Sequence, residues 1–175
     1  MGSSAAKMWV LAGENSACVR IVGRANFSSS IDFKTLIQEL NKKGCSYFIL
    51  DLSECTLMDS TFLGVLAGFG LQSASPRVEG PKATLELLNP NERISELLES
   101  LGVLSLFKVT QGNPQPQQPG EAVPITTACP TKEDVRRACL EAHETLMQIN
   151  PQNASKFKEV AAFLAEDLKK TRPNP

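Results

Sequence analysis

The run Tyr47-Phe48-Ile49-Leu50-Asp51-Leu52 is apolar at every position but Asp51. An extended chain turns successive side chains to opposite faces, so a run of this kind must be covered on both. That places it as a central strand with packed layers around it, and it commits the chain to a layered α/β architecture.

The flanking sequence supplies the other elements. Met8–Leu11 and Cys18–Arg24 read as short strands separated by Gly13-Glu14-Asn15, a hairpin signal. Ser28-Ser29-Ser30 offer N-caps for a helix carrying Ile31, Leu36, Ile37 and Leu40 at helical spacing, and Gly44 ends it. The central strand ends near Ser53. Asp59-Ser60-Thr61 caps the next helix, Phe62–Gln72, which is broken by Pro76, Gly80 and Pro81. Lys82–Leu88 reads as a strand, and Asn89-Pro90 opens a helix over Ile94–Leu101. Gly102 stops that helix, and Leu104–Val109 is a last strand. The order is ββαβαβαβ, a mixed sheet with helices over residues 1–110.

Residues 111–130 hold five prolines, two glycines and no aromatic side chain, the composition of an extended Pro/Gln-rich linker. Beyond it, residues 131–172 read as a helical hairpin. Thr131 and Asp134 have capping-box spacing, and Val135, Ala138, Ala142, Leu146 and Ile149 form one apolar stripe. Asn150-Pro151 restarts a second helix with Phe157, Val160, Ala161, Leu164 and Leu168 as its stripe. Two helices cannot bury both stripes alone, so the hairpin packs on the first domain, on a second copy, or on a partner.

Composition excludes several classes of function. The net charge is −1, with 18 Lys and Arg against 19 Asp and Glu over 175 residues, so no basic field exists to hold nucleic acid. No apolar run approaches the roughly 20 residues needed to span a bilayer, which argues against membrane insertion. Five cysteines without a CxxC pair read as free thiols in a reducing cytoplasm, with Cys45 and Cys55 packing beside a strand. The single histidine, His143, rules out His-rich metal sites and argues against a Ser–His–Asp triad; between Ala142 and Glu144 it reads as a solvated helix residue. No phosphate-cradling glycine motif is present. No metal, cofactor or enzymatic activity is expected.

The informative segment is Phe48–Gly70. A strand containing Asp51-Leu52-Ser53, then Met58-Asp59-Ser60-Thr61, then a helix with Leu63-Gly64-Val65-Leu66, resembles the STAS domain of bacterial anti-sigma-factor antagonists over about residues 7–110. The resemblance implies that Ser60 is phosphorylated, with Thr61 as second choice, by a GHKL-type serine kinase that doubles as an anti-sigma factor. A phosphatase reverses the modification. It further implies that the unmodified domain binds the kinase, through Asp59, Ser60, Thr61, Phe62, Val65, Phe69 and Asn26. Two positions depart from the family pattern: Phe62 stands where glycine is frequent, and Asn26 replaces an acidic residue. The helix Phe62–Gln72 is apolar nearly all round, so either the C-terminal hairpin covers it or Phe62 and Phe69 form a docking surface. Taken without the resemblance, Asp59, Ser60 and Thr61 are good helix caps and nothing more. Two other roles stay open: a STAS-type cytoplasmic subunit contacting the ATPase of a membrane transporter, and a self-associating scaffold module, a homodimer through the C-terminal helices.

Overall fold

A computed structural model describes residues 6–75, 83–113, 123–124 and 129–171. Strands β1 (Lys7–Ala12) and β2 (Ser16–Ala25) form the expected antiparallel hairpin. Helix α1 (Phe27–Lys42) leads to β3 (Tyr47–Met58), helix α2 (Ser60–Ala74) to β4 (Thr84–Leu88), and α3 (Glu92–Ser100) to β5 (Lys108–Thr110). A two-residue strand, β6 (Val123–Pro124), precedes α4 (Lys132–Ile149) and α5 (Ala154–Thr171). The sheet order is β5-β4-β3-β2-β1-β6, parallel from β2 to β5 and antiparallel on both sides of β1. Strand β3 is central, as its apolar composition requires. No described helix is long and apolar enough to cross a membrane.

Several boundaries differ from the sequence reading, each for a local reason. Helix α1 starts one turn early because Asn26, not a serine, is its N-cap: Asn26 Oδ1 accepts from Ser29 N–H, while Ser29 Oγ accepts from Asn26 N–H. Strand β3 does not stop near Ser53 but runs to Met58. Between Arg20 and Val22, and again between Gly23 and Arg24, β3 spends one more residue than β2, so two bulges carry the strand past the end expected near Ser53. The first is held by Asp51, whose Oδ1 accepts from Ser53 N–H (3.0 Å) and Oγ–H (2.6 Å). The second lies opposite Gly23, whose φ of 93° is open to glycine. Helix α3 is capped by Asn91; Asn89, at φ 54°, instead clamps Ser53 and Gly112. Leu104–Leu106 is a 3-10 turn, so the last parallel strand is shorter than expected. Residues 114–122 and 125–128 of the proline-rich segment, and Lys82, lie outside the described residues. Val123–Pro124 adds an edge strand on β1 that the composition did not suggest; an edge is where a sheet tolerates proline.

The core lies between the sheet and helices α1 and α2. Val19, Ile21, Phe48 and Leu50 meet Phe33, Ile37, Phe62 and Leu66, all essentially inaccessible. Phe33 packs on Phe62 with centroids 5.2 Å apart and edge-on to Phe69 at 6.0 Å. Phe62 and Phe69 therefore do not form an external docking surface as the structure stands. Their rings face α1, because the helix turns its largest side chains toward the sheet and leaves Gly64, Val65 and Gly68 on its outer side.

That outer side receives α4. A Cβ on Gly64 would lie 2.5 Å from the Ala142 carbonyl oxygen and 2.6 Å from Ala142 Cβ, so glycine is what permits the two helices to touch backbone to side chain. The stripe of α4 is used as expected, with Ala142 and Leu146 buried. The stripe of α5 is used only in part: Ala161 is buried, whereas Val160 is 47% exposed and the neighbouring Phe163 68%. The turn between the helices is pinned by Asn153, fully buried, whose Nδ2 donates to the carbonyls of Leu101 (2.9 Å) and Leu146 (2.8 Å). Asn153→Ala leaves both contacts unmade in a buried site and is expected to cost about 2 kcal/mol, read by chemical denaturation; an unchanged midpoint contradicts the clamp.

Candidate functional site

The site is built where β3 hands over to α2. The bulges of β3 bring Met58 beside Ala25, and Asp59 N–H donates to the Ala25 carbonyl at 2.9 Å. Asp59 is then the N-cap of α2, its Oδ1 accepting from Phe62 N–H at 2.9 Å. Its second oxygen reaches the other helix: Oδ2 accepts from Phe27 N–H, the first residue of α1, at 2.7 Å. One carboxylate thus ties together two helix N-termini, whose unpaired amides and aligned dipoles both favour negative charge. Asn26, capping α1, stands on the other side of this junction.

Ser60 is the first residue of α2 and is half-buried. Its hydroxyl is not free: Oγ lies 2.9 Å from Nε2 of His143 on α4. The sequence reading of His143 as a solvated helix residue is corrected here. Its ring is buried and stacked on Phe157 of α5, 4.9 Å between centroids. Flanking residues gave no hint of this, since the burial is made by the α2–α4 contact and the α4–α5 hairpin. Burial holds the His143 pKa below its ordinary 6.5, outweighing the Cys139 carbonyl and the Asp59 carboxylate, which both favour the proton. The ring is therefore neutral near pH 7. Oγ and Nε2 share one hydrogen bond, whose direction follows the ring tautomer.

Thr61 is buried, and its hydroxyl donates to Cys139 Sγ at 3.4 Å. Ser60 is thus the more accessible of the two hydroxyls. Val65 is half-buried beside a groove of about 400 Å³ between α1, α2 and α4, lined also by Ile31, Lys34, Phe69 and Ala138. The structure brings Asn26, Asp59 and Ser60 to one corner, and places Phe62 and Phe69 in the interior behind it. Cys45 and Cys55 are buried as the sequence suggested, and burial pushes the Cys55 thiol up to about 11.

Residues 10–113 match the model of the STAS domain, and the chain belongs to that family. Among solved structures it is similar to that of the anti-sigma factor antagonist SpoIIAA in its unphosphorylated form, with 13% identity and a TM-score of 0.51 over 62% of this chain and 89% of that one. It is also similar to the Bacillus cell fate determinant SpoIIAA in the phosphorylated form, with 15% identity and a TM-score of 0.48 over 62% of this chain and 92% of that one. At 13% identity the likeness to the unphosphorylated form establishes a common fold. No curated protein matches the chain. Helices α4 and α5 lie beyond the matched residues, so His143 enters the site from outside the family domain.

Two measurements check this geometry. Asp59→Ala removes the cap of α2 and the link to α1 together and is expected to destabilise the fold by about 2–3 kcal/mol, against about 1 for Asp59→Asn; equal costs contradict the bridge. For His143, the unfolded chain takes up its proton near pH 6.5 before the folded one does. Stability from the neutral ring is complete above that pH and is lost as pH falls below it. The thermal midpoint is expected to drop between pH 7 and 5, by less in His143→Gln, and parallel profiles for the two proteins contradict a buried neutral ring.

Proposed function

We propose that the chain is a phosphorylation-controlled interaction adapter rather than an enzyme, and that Ser60 is its acceptor. In this reading it acts as an antagonist of an anti-sigma factor in the cytoplasm. It binds a GHKL-type serine kinase when Ser60 is unmodified, and a phosphatase restores the free hydroxyl. The observation that carries the reading is the position of Ser60 at the first turn of α2, next to the carboxylate that joins two helix N-termini.

That position suits a switch. A phosphate adds about −1.5 to −2 charges, and two helix N-termini tolerate an anion where most of a protein surface would not. The fold survives the modification. A partner surface fitted to a small hydroxyl beside one carboxylate then meets a dianion as well, and desolvating it without a counter-charge is costly. Asn26, uncharged, keeps this corner less negative than an acidic residue would.

A serine bonded to an imidazole is also the start of a nucleophilic dyad. The geometry disfavours that use. Among the described residues no side chain hydrogen-bonds His143 Nδ1, and the Phe62 N–H at the helix start is taken by Asp59. The dyad lacks its third member, and that donor is already used.

Ser60→Asp is expected to fold with a thermal midpoint near that of the parent and to lose binding to the kinase by at least tenfold, while Ser60→Ala retains it. Titration calorimetry with the candidate kinase reads both, and equal affinity of the two variants removes the switch.

A further inference from the structure

Helix α4 is an addition to the family domain, yet it sits on the corner that the domain would present to a partner. Its contacts with α2 are of two kinds. One is intimate: Ala142 against Gly64, His143 Nε2 against Ser60 Oγ, Cys139 against Thr61. The other is imperfect. One buried polar atom of α4 at this contact, His143 Nδ1, has no hydrogen-bond partner, while Asn153 ties the turn of the hairpin to Leu101. The groove between α1, α2 and α4 leaves the packing of α4 incomplete on its α1 side. The polar links across that side are exposed, as in the pair Lys34–Glu141 at 3.2 Å. An interface with an unmet buried group, an unfilled groove and an exposed ion pair opens at lower free energy than a well-packed sheet.

We propose that the α4–α5 hairpin is a releasable autoinhibitory cover. Docked, it holds the Ser60 hydroxyl on His143 and occupies the outer face of α2; undocked, it presents both to a partner. The regulatory meaning rests on Ser60 being the acceptor, but the cover itself does not. Binding energy from a partner that needs α2 bare would be spent first on lifting α4, so affinity is set by the fraction of open molecules. The same step gates access of any kinase to Ser60.

Hydrogen exchange on the full-length wild-type chain tests the cover directly. Amides of α4 and α5 are expected to exchange together, at least tenfold faster than those of β2 and β3. In Gly64→Leu, whose added side chain cannot coexist with Ala142, they are expected to exchange at least tenfold faster again with the β2 and β3 amides unchanged. Iodoacetamide labelling at position 60, read by peptide mass spectrometry, gives an independent view: Ser60→Cys with Gly64→Leu should react at least tenfold faster than Ser60→Cys alone. Protection of α4 and α5 equal to that of β2 and β3, or equal labelling rates, overturns the proposal. Should the double variant fail to fold, wild-type exchange decides alone. None of these readouts depends on phosphorylation, so a failed cover and a failed Ser60 switch are told apart.

Discussion

The carboxylate of Asp59 is the interaction on which the rest of the corner depends. It accepts from Phe62 N–H at the start of α2 and from Phe27 N–H at the start of α1. Two helices with their positive ends converging would repel and leave amides unpaired; one shared anion removes both problems. Behind the junction, Phe33 of α1 packs on Phe62 and Phe69 of α2. Ser60 is placed as a by-product, one residue after the anchor, half-buried with its hydroxyl on His143. In the function proposed above, a phosphate there would add charge to a point already organised for charge, so that recognition would change without the fold changing.

The delivery of Asp59 to this point depends on irregular backbone. Strand β3 runs twelve residues, and its two extra residues relative to β2 shift Met58 and Asp59 into line with Ala25. Asp51 makes the first bulge by accepting from Ser53 while Arg20 pairs with its other oxygen at 3.1 Å. The one charged residue in the apolar run Tyr47–Leu52 is therefore a shaping residue: it is 1% exposed, and its bonds are what allow it to be buried.

The fold was legible because it is written in local signals. Tyr47–Leu52 announces a covered strand, Gly44 and Gly102 stop helices at positive φ, and Thr131 with Asp134 forms the capping box its spacing promised. What escaped the sequence was set by contacts distant along the chain. His143 looks solvated between Ala142 and Glu144, and α2 and Phe157 bury it. Phe62 looks like an anomaly at the helix start, and only Phe33, on another helix, explains a large ring there. Gly64 was visible as a small residue in an apolar helix, but that Ala142 would sit on it could not be read from spacing. The bulges of β3 were missed because Ser53 and Glu54 are two polar residues in succession, a break in alternation that looks like the end of a strand and is the first bulge itself.

The central claim is that the chemical state of Ser60 decides what the chain binds. It is tested most directly by isolating the endogenous protein in two pools, partner-bound and free, and mapping phosphate on the peptide containing Ser60 by mass spectrometry. The account predicts an unmodified Ser60 in the bound pool and phosphate on Ser60 in the free pool. An equal phosphate content at Ser60 in both pools, zero included, would contradict it.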